Sequence, residues 1–387
     1  NMIVIKAQLL RGAVFLAGES IECLITFTNT NDVSTDLKVS SNLENLAWVT
    51  AQIHCQCSIK ENRVKLVPDK LSSPGDNKAA PIITGTSLVP SRGEKGQAIF
   101  STSPKILCCD LILQPGQSKS FLYQDNIPSD VPPSYKGYSV KYSYKLTIGT
   151  QRVNSVIQLL RIPIKVLFLS GFYEASSISD DGEVQPANPF LQTEKKGAPL
   201  DLALQLIQNV TTRKNSNYYS ITNNQGKVVR LSMFKHAYKL GEDIVGLFDF
   251  TQGSVPCYQF LVTLQSEETV AADYQRKSGQ ESHVVSHNKY HEVCLNMSQT
   301  QMILPIPLHI TPTFTTEMVS LQWKLHFEFV TTTSGINKSI DSMEPWSVPE
   351  SIDIETMVWD LPLIIYPTNP VNVSQGLQME SNHELKF

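Results

Sequence analysis

Nowhere in the sequence do 18 apolar residues run together, so no segment reads as a membrane-crossing helix. The opening stretch, NMIVIKAQLLRGAVF, also lacks the long apolar centre and small-residue cleavage site of a secretory leader. A soluble, cytosolic protein is expected, with Met2 as its native start. Charge of one sign is missing too: 32 Lys and Arg stand against 36 Asp and Glu, a formal net charge of −4. No broad positive field is available to collect phosphate backbones, and nucleic acid is not expected as a partner. Four N-x-S/T sequons begin at Asn209, Asn296, Asn337 and Asn372. In a chain that is not secreted they read as chance.

Cysteine is scarce and odd in number, seven in 387 residues, which suits a reducing compartment better than a disulfide scaffold. Cys55 and Cys57 share a face if residues 51 to 59 form a strand, and Cys108 and Cys109 lie in a second apolar run. Thiolates suit zinc, but this spacing fits no familiar ribbon, and burial in a core is the reading favoured for all four. Catalytic signatures are absent as well. There is no G-x-S-x-G elbow and no Ser or Cys in a recognisable nucleophile setting. Gly226-Lys227 lacks the upstream glycine spacing of a phosphate loop and reads as a turn before VVRLSMF. No catalytic, cofactor-binding or metal-binding residue is assigned, and no cofactor is expected.

What is present is an echo. GESIECLITF at 18 to 27 returns as GEDIVGLFDF at 241 to 250, an offset of 223. A second pair is longer: Tyr138, Val140, Tyr142, Tyr144, Leu146 and Ile148 alternate with polar residues, and Val319, Leu321, Trp323, Leu325, Phe327 and Phe329 do the same. That alternation is the period-two signature of a strand with one buried face. The two segments align at an offset of 179, which also sets Pro133 on Pro312 and Tyr135 on Phe314. Each is followed by a closing proline-bearing strand, LLRIPIKVLFL at 159 to 169 and WDLPLIIYPTNP at 359 to 370. Order kept three times over indicates two copies of one β-domain.

With 22 prolines, 19 glycines and no repeated helical pattern, each sheet face needs a second sheet as cover. The fold class expected is therefore all-β, two tandem β-sandwiches. Strands are expected near 3 to 8, 13 to 16, 20 to 28, 46 to 59, 106 to 113, 118 to 124, 138 to 148 and 156 to 169. The division is residues 2–172 for the first sandwich, 173–198 for a flexible linker, 199–215 for an amphipathic helix, 216–370 for the second sandwich and 371–387 for a flexible tail. The linker reading rests on EASSISDDGEVQPANPF, too polar to offset its own ordering entropy. The helix reading rests on Leu200, Ala203, Leu204, Ile207 and Val210 at helical spacing, and packing on its own domain is favoured over a partner-binding role. Long surface loops are expected at 67 to 97 and 331 to 353.

Three further features carry little weight. His283, His287 and His291 fall at i, i+4 and i+8, a metal face if helical; the segment lies between strands without an apolar stripe, so the bland reading is preferred. Asn188-Pro189-Phe190 is a docking tripeptide of endocytic proteins, set in the linker, and is too short to carry weight. Glu267-Glu268 and Asp180-Asp181 are placed in turns and loops as solvated charge.

The set RGAVFLAGESIECLITFTN, WVTAQIHCQC, STSPKILCCDL, SVKYSYKLTIGTQRVNS, YKLGEDIVG, LPIPL, SLQWKLHFEFVT and WDLPLIIYPT resembles the Rgp family, with an arrestin-like fold, and covers most of the chain. The resemblance implies a non-enzymatic subunit beside a larger, β-propeller-containing Ric subunit, the pair acting as a guanine-nucleotide exchange factor for a Rab-six-type GTPase at Golgi membranes. It implies a cytosolic chain associated with the Golgi membrane through the complex, in retrograde traffic. It carries no catalytic residue to transfer, and the buried polar core of visual-type arrestins has no equivalent visible in the sequence. Strand edges are expected to hold an extended GTPase tail. The alternative is an arrestin-like cargo adaptor that binds sorting peptides in endosome or Golgi traffic; an enzyme is the third reading, disfavoured by the motif search.

Overall fold

The computed structural model describes residues 3–31, 43–65, 96–169, 199–212, 216–332 and 353–386. In the first half run β1 (Ile3–Leu9), β2 (Val14–Leu16), β3 (Ser20–Asn29), β4 (Glu44–Ile59), β5 (Gln97–Ser101), β6 (Lys105–Leu113), β7 (Ser118–Asn126), β8 (Tyr135–Lys136), β9 (Val140–Arg152) and β10 (Gln158–Leu167). Helix α1 (Pro199–Thr212) follows. The second half holds β11 (Asn217–Asn223), β12 (Gly226–Met233), β13 (Ala237–Lys239), β14 (Asp243–Asp249), β15 (Cys257–Val270), β16 (His283–Val293), β17 (Gln299–Pro305), β18 (Phe314–Thr315), β19 (Val319–Thr332) and β20 (Ile354–Tyr366). Helix α2 (Pro370–Gly376) and β21 (Asn382–Lys386) end the described chain.

These strands form four sheets. One domain has β21-β1-β3-β7 and β2-β10-β9-β4-β5, with β6 also on β4 and β8 on β9; the other has β11-β12-β14-β17 and β13-β20-β19-β15-β16, with β18 on β19. The fold is all-β, two tandem β-sandwiches, as the alternation required. Val140, Tyr142, Tyr144, Leu146 and Ile148 of β9 are buried, as are Val319 to Phe329 at every second position of β19. Burying Phe260, Phe327 and Phe329 is worth about 1.5–3 kcal/mol each. These rings join Phe248 in one cluster, with Phe248 and Phe260 centroids 4.2 Å apart.

The duplication extends to single hydrogen bonds. Gly18 (φ +94) and Gly241 (φ +77) both adopt the left-handed turn that disfavours a Cβ. Next to them, Glu19 accepts from the Leu16 amide and pairs with Arg11 at 2.9 Å, while Glu242 accepts from the Lys239 amide at 3.1 Å and pairs with Lys235. The turn amides bind equivalent carbonyls, Gly18 to Ile127 and Gly241 to Ile306. Short parallel ladders then seat β2 on β10 and β13 on β20. The offsets of 179 and 223 are thus repeated geometry: β8 and β18 begin at Tyr135 and Phe314, β9 and β19 at Val140 and Val319.

Four expectations need revision. The segment 371–387 was read as a flexible tail, but α2 starts on an Asn369 cap and a proline, and β21 pairs antiparallel with β1 from Val4–Lys386 to Gln8–Asn382. Ser374 of α2 accepts from the Ala13 amide at 3.2 Å, and Val373 is fully buried. The strand was missed because NHELK has one apolar residue; main-chain pairing with a vacant edge holds it. The histidine segment is itself a strand, β16, not a connection between strands. Glu267 and Glu268 lie in β15 rather than a turn. Strand β5 begins at Gln97, the last residue of the expected loop, and has no counterpart among the expected strands. Helix α1 buries Ala203, Ile207 and Thr211, with Val210 exposed, and lies beside β13. The expected linker 173–198, with Asp180-Asp181 and Asn188-Pro189-Phe190, lies outside the described residues.

Candidate partner-binding surfaces

The two sandwiches meet around one carboxylate. In β15 the inward face reads Phe260, Val262, Leu264, Ser266, Glu268, Val270, so the strand that fills the second core carries a buried acid near its end. Glu268, 3% exposed, receives Tyr135 Oη at 2.6 Å, the Tyr138 amide at 2.8 Å and the Ser139 amide at 2.7 Å, all from the other domain. Burial and the Glu268 carboxylate push the Tyr135 phenol well above its ordinary range, so it stays a donor. Gly137 permits this approach, since a Cβ there would stand 1.9 Å from Glu268 Oε2. Around the acid, Tyr135 meets Phe314 edge-on at 5.0 Å and Tyr138 stacks on His283 at 4.0 Å. Val64 and Gln275 form an antiparallel bridge, flanked by Lys65 N–H to Tyr274 O and Arg276 N–H to Arg63 O, each 2.9 Å. The Arg63 guanidinium adds bonds to Ser139 Oγ at 3.1 Å and Glu281 O at 2.8 Å.

Beside this seam opens a cleft of ≈ 790 Å³, walled by β8, β9 and β10 on one side and by β15, β16, β19 and residues 309–311 on the other. His287 faces it from β16; Nε2 pairs with Ser266 Oγ at 2.9 Å, and the ring lies 4.8 Å from Trp323. Burial, with the like charge of His309, lowers the His287 pKa below its ordinary value. His283 lines the same cleft about 13 Å along the strand, too far for a shared ion, while the bulge opposite Thr263–Gln265 turns His291 to the other face of the sheet. His291 instead meets Gln259 at 3.3 Å. Among the described residues no group of three His, Cys, Asp or Glu is placed to hold a metal.

The cysteine pairs do not converge. Cys108 and Cys109 of β6 lie opposite Val49 and Trp48, whereas Cys55 and Cys57 lie further along β4, opposite β5; Val49 and Cys55 are about 20 Å apart along the strand. Burial pushes the Cys55 thiol up to about 12 and Cys57 to about 11. Gly226-Lys227 is not the turn itself: the hairpin turns at Asn224-Gln225, Gly226 and Lys227 open β12 opposite Asn223 and Thr222, and Lys227 Nζ is bonded to Gln252.

Among the described residues β7 in one domain and β11, β16 and β17 in the other end their sheets without a further strand, while the β1 edge is covered by β21. Apolar side chains stand out on both domains, among them Val156 at 76% exposure and, on the outer face of β20, Ile354 and Val358 at 60% and 62%. Single exposed apolar residues are ordinary, but aligned ones on a strand mark a contact surface. Sequence reasoning missed Glu268 although the β15 alternation could have placed it inward.

The molecule so described is a tandem β-sandwich protein with a clasped domain seam and open strand edges. It belongs to the Rgp1 family, which matches residues 87–170 and 173–332. It is similar to the RAB6A-GEF complex partner protein 2 of Homo sapiens, 44% identical over 387 residues, covering 96% of this chain and 97% of that protein. The protein of the same name in Bos taurus is 44% identical over 376 residues, covering 94% and 93%.

Proposed function

We propose that this chain is the non-catalytic subunit of a guanine-nucleotide exchange factor for a Rab-six-type GTPase, in the cytosol and on Golgi membranes in retrograde traffic. The observation that carries the reading is 44% identity along nearly the whole length to a protein named as a partner in a RAB6A exchange-factor complex. In this reading a larger, β-propeller-containing Ric subunit opens the nucleotide pocket, favouring the empty GTPase by differential affinity. The present chain, with its arrestin-like pair of sandwiches, scaffolds that subunit and holds the extended GTPase tail by main-chain pairing at an open strand edge. The exposed apolar row on β20, Ile354 and Val358, is the surface offered to the larger subunit.

Co-expression with the large subunit, followed by nucleotide release from the GTPase, tests this directly. The pair is expected to purify at one-to-one stoichiometry and accelerate release, while the isolated chain leaves release at its intrinsic rate. Acceleration by this chain alone would overturn the non-catalytic role, and failure to co-purify would overturn the scaffold.

A further inference from the structure

Positive charge gathers at one place in a chain whose net charge is −4. The interdomain cleft is lined by Lys136, Lys141, Lys145 and Lys165 from one domain. The opposite wall adds His283 and His287 of β16 and, at its end, His309. Glu268 is the one carboxylate lining it, and Tyr135, Tyr138 and Ser139 already occupy its oxygens. Among the described residues Lys136 and Lys141 form no ion pair. Lys165 Nζ spends one donor on His309 O at 3.1 Å, which leaves two N–H groups on a part-buried ammonium. Burial lowers the pKa of Lys165, and burial with the like charge of His309 lowers that of His287.

We propose that this cleft is a binding site for a multiply charged phosphate ester, held between the lysines of one domain and the histidine wall of the other. Lysine ammonium groups are compact point charges suited to tetrahedral phosphate, whereas a planar carboxylate is matched by the arginine fork, and no arginine lines the cleft. At ≈ 790 Å³ the space falls in the range of small-molecule sites and is too small for a folded partner. Ser143, Ser266 and Tyr138 supply neutral donors, and Ile310, Leu321 and Trp323 supply an apolar floor for the carbon body. A ligand touching both walls ties the sandwiches together at the Glu268 seam.

Titration calorimetry of the full chain with sodium tripolyphosphate tests the soluble source of this chemistry. Flotation with phosphatidylcholine vesicles, with and without phosphatidylinositol 4-phosphate, tests the lipid-borne source. Expected is one tripolyphosphate per chain, or retention on the phosphoinositide vesicles alone. Binding falls about tenfold or more in Lys141→Ala and in Lys165→Met, the loss expected for one charge-assisted contact. Lys119→Ala on β7, away from the cleft, leaves it unchanged. Where Lys165→Met does not fold, His287→Gln takes its place beside Lys141→Ala. Absence of binding in both arms, or binding that the cleft variants leave intact, overturns the site.

Discussion

At the scale of a residue, Glu268 shows how an acid is tolerated in a β core: each of its approaching donors comes from a fixed backbone or a rigid ring. Removing it strands three donors, two of them buried. Glu268→Ala is therefore expected to destabilise the chain by about 3 kcal/mol or more, and Glu268→Gln by less, because one amide oxygen still accepts. Urea unfolding of the full chain at pH 7 measures both, and equal losses would mean that charge, rather than acceptor geometry, sets the cost. The turn glycines make a paired case. Gly18→Ala and Gly241→Ala each force a Cβ into positive φ at about 1–2 kcal/mol. Gly241 carries an added contact, since its Cβ would lie 2.9 Å from Leu308. Matched losses in the two variants are expected from duplicated turns, with Gly241→Ala the larger.

At the scale of an element, β19 and β20 carry an ordered charge ladder on their outer face. Asp360 lies opposite His326 and is bonded by His326 Nδ1 at 2.6 Å and by Lys324 Nζ at 2.7 Å. Burial works to raise the Asp360 pKa, but the bonds from Lys324 and His326 outweigh it and hold it below the ordinary 3.8. A depressed carboxylate stabilises the fold at pH above 3.8 and loses that contribution as pH falls through its folded value. Asp360→Asn is expected to flatten the acid limb of a stability–pH curve below about pH 4 and to leave the limb above pH 5 parallel to wild type. Strand β21 makes a different case, because its hold on β1 is backbone pairing with little apolar burial. Truncation after Gly376 is expected to speed amide exchange along β1 while the β9–β19 cores keep their protection; unchanged exchange in β1 would mean that β3 alone secures it.

At the scale of the whole molecule, what the sequence made legible was what repeats. Val140 and Val319, Gly18 and Gly241, and the proline-bearing closing strands carry period-two burial or positive φ, and both leave marks in composition. Features that depend on contact between distant segments left none. Glu268 reads as half of an acidic pair until β15 turns it toward Tyr135, and NHELK reads as a tail until β1 gives it an edge. The same holds for the cleft, whose lysines are spread over β8, β9 and β10 and acquire meaning only when β16 faces them. Long-range contact also decides how the domains unfold. Glu268, the Arg63 bonds and the Val64–Gln275 bridge cross the seam through main-chain and charged partners, which hold only while both sandwiches are folded. The buried apolar residues of both halves join in one cluster, with Tyr135 on Phe314 across the seam, so contacts at the seam couple the melting of the two sandwiches. Wild-type protein is expected to unfold in one calorimetric transition. Arg63→Ala with Glu268→Ala is expected to split that transition into two, each with an enthalpy near that of a domain of about 150 residues. A single sharpened or merely shifted transition in the double variant would locate the coupling elsewhere, at the β21–β1 pairing, which joins the C-terminal segment to the first sandwich.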